Sequence, residues 1–239
     1  MNEVKGLVSA VRNGLAALAD PAKAPSMRAY MKSEMPFLGV TSPPRAALLK
    51  HVYAEHSLPD RVSFSTAVLT LWREASFREE RYAAIALSGY RAYARWQDSE
   101  LLGLYEEMIV TGAWWDYVDE VAIRRVGPIQ RAEPETMTPL MLTWAYDEDK
   151  WRRRTSVICQ VGAKGSTDTD LLTRAVEANI DDRDFFLRKG IGWALREYAK
   201  TEPDWVRAFV AAHPALSHLS RKEALKHLGG RVPASGRAC

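Results

Sequence analysis

Two side chains of the segment TGAWWDYVDEVAIRRVG, residues 111–127, could do chemistry together. Trp115 and Asp119 lie four positions apart, so a helix would project both from one face. An indole face and a carboxylate both attract positive charge, so the pair suits a cation or a group that becomes cationic. The alternative is that Trp115 borders the core and Asp119 is a solvated or helix-capping acid. The adjacent Trp114 shares a stripe with apolar residues, and we predict that it points towards the core.

A second candidate segment is DEDKWRRRTSVICQ, residues 147–160. Its acidic start suits the positive end of a helix dipole, and Trp151, Thr155 and Ile158 have core spacing. Arg154 lies one position off that stripe, at the edge of the apolar face, from which a long side chain can reach outward. Arg154 is therefore a candidate cation, although a run of three arginines is usually a solvated face.

The third segment, FLRKGIGWALREYAKTEPD, carries charge where a core face would be apolar. Lys189, Trp193, Arg196 and Lys200 follow the helical spacing i, i+4, i+7 and i+11. Burying unpaired charge is costly, whereas cations around an aromatic plane suit a phosphate backbone. In the alternative interpretation, Glu197 pairs with Lys200 or Arg196, and Trp193 is a packing residue.

Two glycines in this third segment are also informative. Gly190 and Gly192 each weaken a helix by roughly 1 kcal/mol relative to alanine. Such residues are expected where another part of the chain must approach closely.

Composition narrows the classes of protein. The chain has 239 residues and a formal net charge of +3, and counting along it gives 10 Lys and 23 Arg. Arginine suits bidentate phosphate contacts, although the codon usage of a GC-rich genome explains the excess equally well. Cys159 and Cys239 form no CxxC or Cys/His cluster, so we expect no disulfide framework, no metal site and no cofactor. With no signal peptide or membrane-spanning segment in the sequence, we expect a cytosolic protein.

The elements that would position these residues are helices. Apolar residues recur at helical spacing almost throughout, and strand-like alternation is scarce. Proline-containing breakers separate the helices, among them Pro43-Pro44, Gly127-Pro128, Glu133-Pro134 and Glu202-Pro203. The pattern predicts an all-α fold, either globular or built from stacked helical hairpins. We predict a single domain over residues 1–228 and a mobile tail over 229–239.

These motifs together resemble those of the AlkD-like DNA alkylation repair proteins. The resemblance is carried by MRAYMKSEMPFLGVTSPPRAALLK, WWDYVDEV, WRRRTSVICQ and KGIGWALREYAK, in register from the first helix to about residue 228. It implies a superhelical solenoid of HEAT-like antiparallel helix pairs, with a concave basic face that binds duplex DNA. It also implies excision of N3- and N7-alkylated purines by hydrolysis of the N-glycosidic bond.

The resemblance assigns roles to individual residues. Trp115, Asp119 and Trp193 match the family's catalytic positions, and Arg154 and Tyr30 match positions at the DNA. Lys189, Arg196 and Lys200 of the third segment are further expected DNA contacts.

One position departs from the family pattern. Thr41 follows FLGV where a glutamine is usual, so a lesion contact made by the longer amide is in doubt, although Thr41 still counts among the expected DNA contacts. The resemblance also implies that the lesion is held from its backbone side without a base pocket. Such a site leaves room for bulky adducts, such as those of minor-groove alkylating natural products.

The expected partner is duplex DNA containing alkylated purines, bound by a monomer that needs no protein partner. Two functions of other classes stay open. One is a helical-repeat module that binds distorted DNA without chemistry, for which binding would be salt-sensitive. The other is a protein-binding scaffold whose arginine-rich faces only confer solubility.

Overall fold

Apolar periodicity along the chain corresponds to helix in the computed structural model, which describes residues 2–228. The prediction of an all-α fold is confirmed, since these residues contain helices and turns but no strand. The α-helices are α1 (Asn2–Ala17), α2 (Ala24–Met31), α3 (Ser42–Glu55), α4 (Arg61–Arg73), α5 (Arg78–Ser88), α6 (Leu102–Gly112), α7 (Trp115–Val121), α8 (Gly127–Ala132), α9 (Pro134–Ala145), α10 (Lys150–Ile158), α11 (Thr169–Glu177), α12 (Phe185–Tyr198), α13 (Pro203–Ala212) and α14 (His218–Ala224).

Helix starts are encoded locally. The side chains of Asp60, Asp149, Asp168, Asp184 and Ser217 each accept a hydrogen bond from a backbone N–H in the first turn of the helix that follows. Such caps satisfy donors that a helix cannot pair internally. Prolines occupy the first turns of α2, α3, α9 and α13, where a missing N–H costs nothing.

The predicted break at Gly127-Pro128 is wrong. The chain stays helical from α7 through a π-helical turn, Ala122–Val126, directly into α8. The backbone N–H of Gly127 donates to the carbonyl of Ala122, five residues earlier. Pro128 itself has no N–H to donate, so the wider turn places it near the start of a new α-helical segment. A Cβ on Gly127 would lie 2.1 Å from the carbonyl oxygen of Cys159, so only glycine fits beside the end of α10.

Contacts divide the chain into two compact units, with the boundary between Met108 and Ile109. In the first unit, α1 packs against α3, α4 and α5 around buried residues such as Leu7, Phe64 and Leu71. In the second unit, α10 packs against α7, α9, α11 and α12, and α12 also packs against α13 and α14. Helices α7, α10 and α12, which carry the three candidate segments, are therefore neighbours.

Three predictions lie beyond these observations. The single domain over residues 1–228 and the concave basic face stay predictions. The predicted tail, residues 229–239, lies outside the described residues.

Candidate active site

Arg154, the third arginine of α10, has a different environment from the expected one. Trp151, Thr155 and Ile158 are buried as their spacing predicts. Arg154, however, is buried as well, with 5% of its side chain exposed, so the prediction that it reaches outward is wrong.

The guanidinium of Arg154 binds both carboxylate oxygens of Asp119. Its Nε donates to Asp119 Oδ1 at 2.7 Å and its Nη2 donates to Oδ2 at 2.8 Å. The remaining nitrogen, Nη1, donates to the backbone carbonyl of Phe186 at the start of α12. Paired, parallel hydrogen bonds of this kind are strong and directional. They fix the orientation of Asp119 from a neighbouring helix.

Burial raises the pKa of the Asp119 carboxyl above its ordinary value. The hydrogen bonds and the positive charge of Arg154 act in the opposite direction, but burial is the larger effect. Only 14% of the Asp119 side chain is exposed, so ionisation of this carboxyl carries a desolvation cost.

The two candidate indoles border two clefts. The first, which we call the basic cleft, has a volume of about 290 Å³. It is lined by Trp115, Trp193 and the cations Arg154, Lys189 and Arg196, together with two phenylalanines at the start of α12 and one glutamate of α14. It combines aromatic surface with positive charge.

The second cleft, which we call the acidic cleft, has a volume of about 470 Å³ and shares the same two indoles. Its charged lining consists of four carboxylates and one arginine: Asp116, Asp119, Glu120, Glu197 and Arg124. The structure thus brings Trp115, Asp119 and Trp193, the three predicted catalytic residues, to one cleft. The indoles separate a surface suited to anions from a surface suited to cations.

The two glycines of α12 make this arrangement possible. A Cβ on Gly190 would lie 3.0 Å from Arg154 Nη1, and a Cβ on Gly192 would lie 2.6 Å from the Cβ of Glu223 and 2.9 Å from the carbonyl of Ser220. The expected close approach at these positions is therefore confirmed. Gly190 leaves room for the arginine of α10, and Gly192 lets α14 pack directly on α12.

The predicted cation stripe of α12 is only partly present. Lys189 and Arg196 line the basic cleft, but the helix ends at Tyr198, so Lys200 lies beyond it. Lys200 binds Glu197 at 2.7 Å, as the alternative interpretation anticipated, and it lines neither cleft. Its expected contact with DNA stays a prediction.

Trp114 is also displaced from its predicted position. It precedes the first residue of α7 and has an extended backbone, so it does not share a helical stripe with Val118. Its ring is half-buried and packs edge-to-face on Phe186, with the ring centres 5.5 Å apart. Trp114 therefore supports the wall of aromatic residues beside the basic cleft instead of the core.

Tyr30 and Thr41 belong to the first unit. Tyr30 is 78% exposed on α2, and Thr41 directly precedes α3 without a side-chain capping hydrogen bond. The residue that anchors the segment leading to Thr41 was not predicted from the sequence. Fully buried Glu79 accepts hydrogen bonds from the backbone N–H groups of residues 38, 39 and 40 at 3.0, 2.9 and 3.1 Å. Its residue type gave little signal, because acids are common in a first helical turn and Glu80 follows it directly.

Neither a metal centre nor a membrane span is found within residues 2–228. These residues contain no group of three or more His, Cys, Asp or Glu side chains arranged to hold a metal ion. They also contain no helix with the length and apolarity needed to cross a bilayer.

Comparison with known proteins identifies one family and several similar structures. The family model described as DNA alkylation repair enzyme matches residues 11–228. A predicted DNA alkylation repair enzyme from Enterococcus faecalis is 31% identical, with 89% of this chain and 98% of that chain covered and a TM-score of 0.79. No curated protein matches the chain.

Two structures from Streptococcus mutans share the fold at lower identity. AlkD2 is 14% identical, with 86% of this chain and 99% of that chain covered and a TM-score of 0.61. The protein smu.31 is 17% identical, with 77% of this chain and 96% of that chain covered and a TM-score of 0.57.

Proposed function

The chain belongs to the DNA alkylation repair enzyme family, and we propose that it is a monofunctional DNA glycosylase. Its substrates would be N3- and N7-alkylated purines in duplex DNA, released by hydrolysis of the N-glycosidic bond. The observation that supports this proposal most directly is the convergence of Trp115, Asp119 and Trp193 on the acidic cleft.

The chemistry of the lesion explains why negative charge is needed. An N3- or N7-alkylated purine already carries positive charge, so it leaves as a neutral base without being protonated. The positive charge then develops on the deoxyribose as the bond to C1′ lengthens. A catalyst should therefore present oriented negative charge to the sugar, which is commonly the largest catalytic contribution.

Asp119 is suited to that role because Arg154 holds it in place. A carboxylate has about four lone-pair sites, and a bidentate arginine uses about two of them. The others can orient a water molecule towards C1′ and face the developing cation. We therefore propose Asp119 as the catalytic carboxylate and Arg154 as its positioning residue, in place of the contact with DNA that the resemblance implies for Arg154.

The two indoles would lie against the sugar and the neighbouring backbone. The face of an indole attracts a developing cation by about 0.5–2 kcal/mol, depending on desolvation. Because Trp115 and Trp193 border both clefts, they can contact a sugar on the acidic side while the adjacent phosphate lies on the basic side. Lys189 and Arg196 would supply the charge for that phosphate.

The test is release of a free base. Duplexes containing 7-methylguanine, 3-methyladenine or a bulky N3-adenine adduct are incubated with excess protein, and the freed base is measured by chromatography. We expect release above the spontaneous rate from the alkylated duplexes and none from an unmodified duplex. Salt-sensitive binding without release would contradict the enzymatic proposal and favour the non-catalytic DNA-binding module.

A further inference from the structure

The two peripheral cations of the basic cleft share a single carboxylate. Lys189 Nζ donates to Glu223 Oε2 at 2.8 Å, and Arg196 pairs with the other carboxylate oxygen of Glu223. Only 11% of the Glu223 side chain is exposed. In the free protein, both cations therefore already have an anionic partner.

The position of Glu223 is fixed by the packing of α14 on α12. Gly192 allows the Cβ of Glu223 to approach the backbone of α12, where any larger residue would collide with it. Ser220 Oγ donates to the carbonyl of Arg188 at 2.9 Å, and the Ser217 hydroxyl accepts from the backbone N–H of Ser220 at 3.0 Å. Glu223 is thus held at the cleft by the fold, unlike an exposed glutamate that meets a lysine by chance.

A carboxylate between a lysine and an arginine resembles a phosphate in its charge and its pair of oxygens. We propose that Glu223 occupies the place of a DNA phosphate in the free protein and competes with the DNA backbone for Lys189 and Arg196. This inference rests on the proposed binding of duplex DNA and adds the residue that limits its strength. Each cation exchanges one anion for another on binding, so undamaged DNA gains little from this cleft.

A purely structural role for Glu223 predicts the opposite effect. If Glu223 only joined α14 to α12, its loss would loosen the cleft and weaken DNA binding. Competition with phosphate instead predicts that loss of its charge strengthens binding, because two cations become available and one like charge is removed. The direction of the change distinguishes the two roles.

The experiment measures binding of the full chain to an undamaged duplex by fluorescence anisotropy across a salt series. We expect Glu223→Gln to bind about tenfold more tightly than wild type at low salt, with a gain that shrinks as salt screens the charges. The matched control is Glu177→Gln, which changes the net charge equally in the same unit. Glu177 pairs with His213 at 3.0 Å and does not line the basic cleft.

The outcomes separate this inference from the proposed function. Unchanged or weaker binding by Glu223→Gln, or an equal gain in the Glu177→Gln control, overturns the competition. Wild-type protein that binds no duplex even at low salt contradicts the proposed function, and the competition fails with it. Thermal unfolding checks that the variants are folded. If Glu223→Gln is not folded, Glu223→Asp withdraws the carboxylate by one methylene, and the absence of any gain in that variant also overturns the inference.

Discussion

Two carboxylates, one in each compact unit, show how differently a protein can hold a buried acid. Glu79 is fully buried, and three consecutive backbone N–H groups donate to it. Asp119 borders a cleft, and one arginine side chain binds both of its oxygens. The backbone N–H groups compensate the buried charge of Glu79 without a cationic side chain, and the fold encloses its oxygens. Asp119 depends on a charged partner and keeps part of its surface towards the cleft.

The two environments indicate which buried acids are candidates for chemistry. A fully buried carboxylate that accepts hydrogen bonds from three backbone N–H groups anchors a chain segment. A carboxylate oriented from one side by a rigid cation is available on its other side. In this contrast Glu79 is a structural anchor and Asp119 is the proposed catalytic carboxylate, and substitutions at each site test the two roles.

The largest expected effect follows from the removal of Arg154. Arg154→Ala leaves Asp119 without the partner that offsets its burial, so we expect the free energy of unfolding to fall by about 3–5 kcal/mol. Chemical denaturation measures this loss. The control is Arg207→Ala, which removes an exposed pair with Asp204 and should cost about 0–1 kcal/mol. Equal, small losses in both variants would mean that Arg154 does not support Asp119.

The next effect concerns the rate of base release. Asp119→Asn keeps the shape of the side chain but removes its charge, so we expect the single-turnover rate to fall by about 10²–10³-fold while duplex binding persists. Asp116→Asn makes the same change in the same cleft and should have a much smaller effect, because Arg154 orients only Asp119. An unchanged rate in Asp119→Asn would remove this residue from the mechanism.

The anchoring carboxylate should give the reverse result. Glu79→Gln replaces an acceptor oxygen by a donor facing backbone N–H groups, so we expect the free energy of unfolding to fall by about 1–3 kcal/mol. Base release at saturating protein and at a temperature where the variant is folded should stay within a few-fold of wild type. A catalytic defect without a loss of stability would break the contrast with Asp119.

The smallest effect is a pH dependence that has opposite signs for rate and stability. Burial raises the pKa of Asp119, so this carboxyl is protonated at a higher pH than an ordinary aspartate. As the solution is acidified, base release should therefore begin to decline at that higher pH. The folded chain binds this proton more tightly than the unfolded chain does. The contribution of Asp119 to the free energy of unfolding therefore falls as pH rises from its unfolded pKa through its raised folded pKa. The pH–rate profile and denaturation at several pH values measure both trends, and Asp119→Asn should remove the contribution of Asp119 from each.

Some of this arrangement was predictable because it is local. The four-residue spacing of Trp115 and Asp119 put both side chains at one cleft, and the glycines of α12 indicated close packing. Caps such as Asp149 and Asp184 follow from residue type and position alone.

The remainder depends on helices that are distant in sequence. No spacing within α10 reveals that Arg154 turns inward to Asp119, and no spacing within α12 reveals that Glu223 pairs with Lys189 and Arg196. The end of α12 at Tyr198 likewise interrupted a stripe that periodicity alone extended. Long-range partners decide whether a charged side chain faces solvent, a cleft or another charge.

The π-helical turn at Ala122–Val126 sets the angular phase between the two ends of one continuous helical segment. Such a turn contains one residue more than an α-helical turn, and each residue rotates an α-helix by about 100°. Deleting a single residue there would swing the face of Trp115 and Asp119 around the axis relative to the buried Ile129. The direction in which Trp115 and Asp119 point therefore depends on the one additional residue of the π-helical turn, which follows both of them in the sequence.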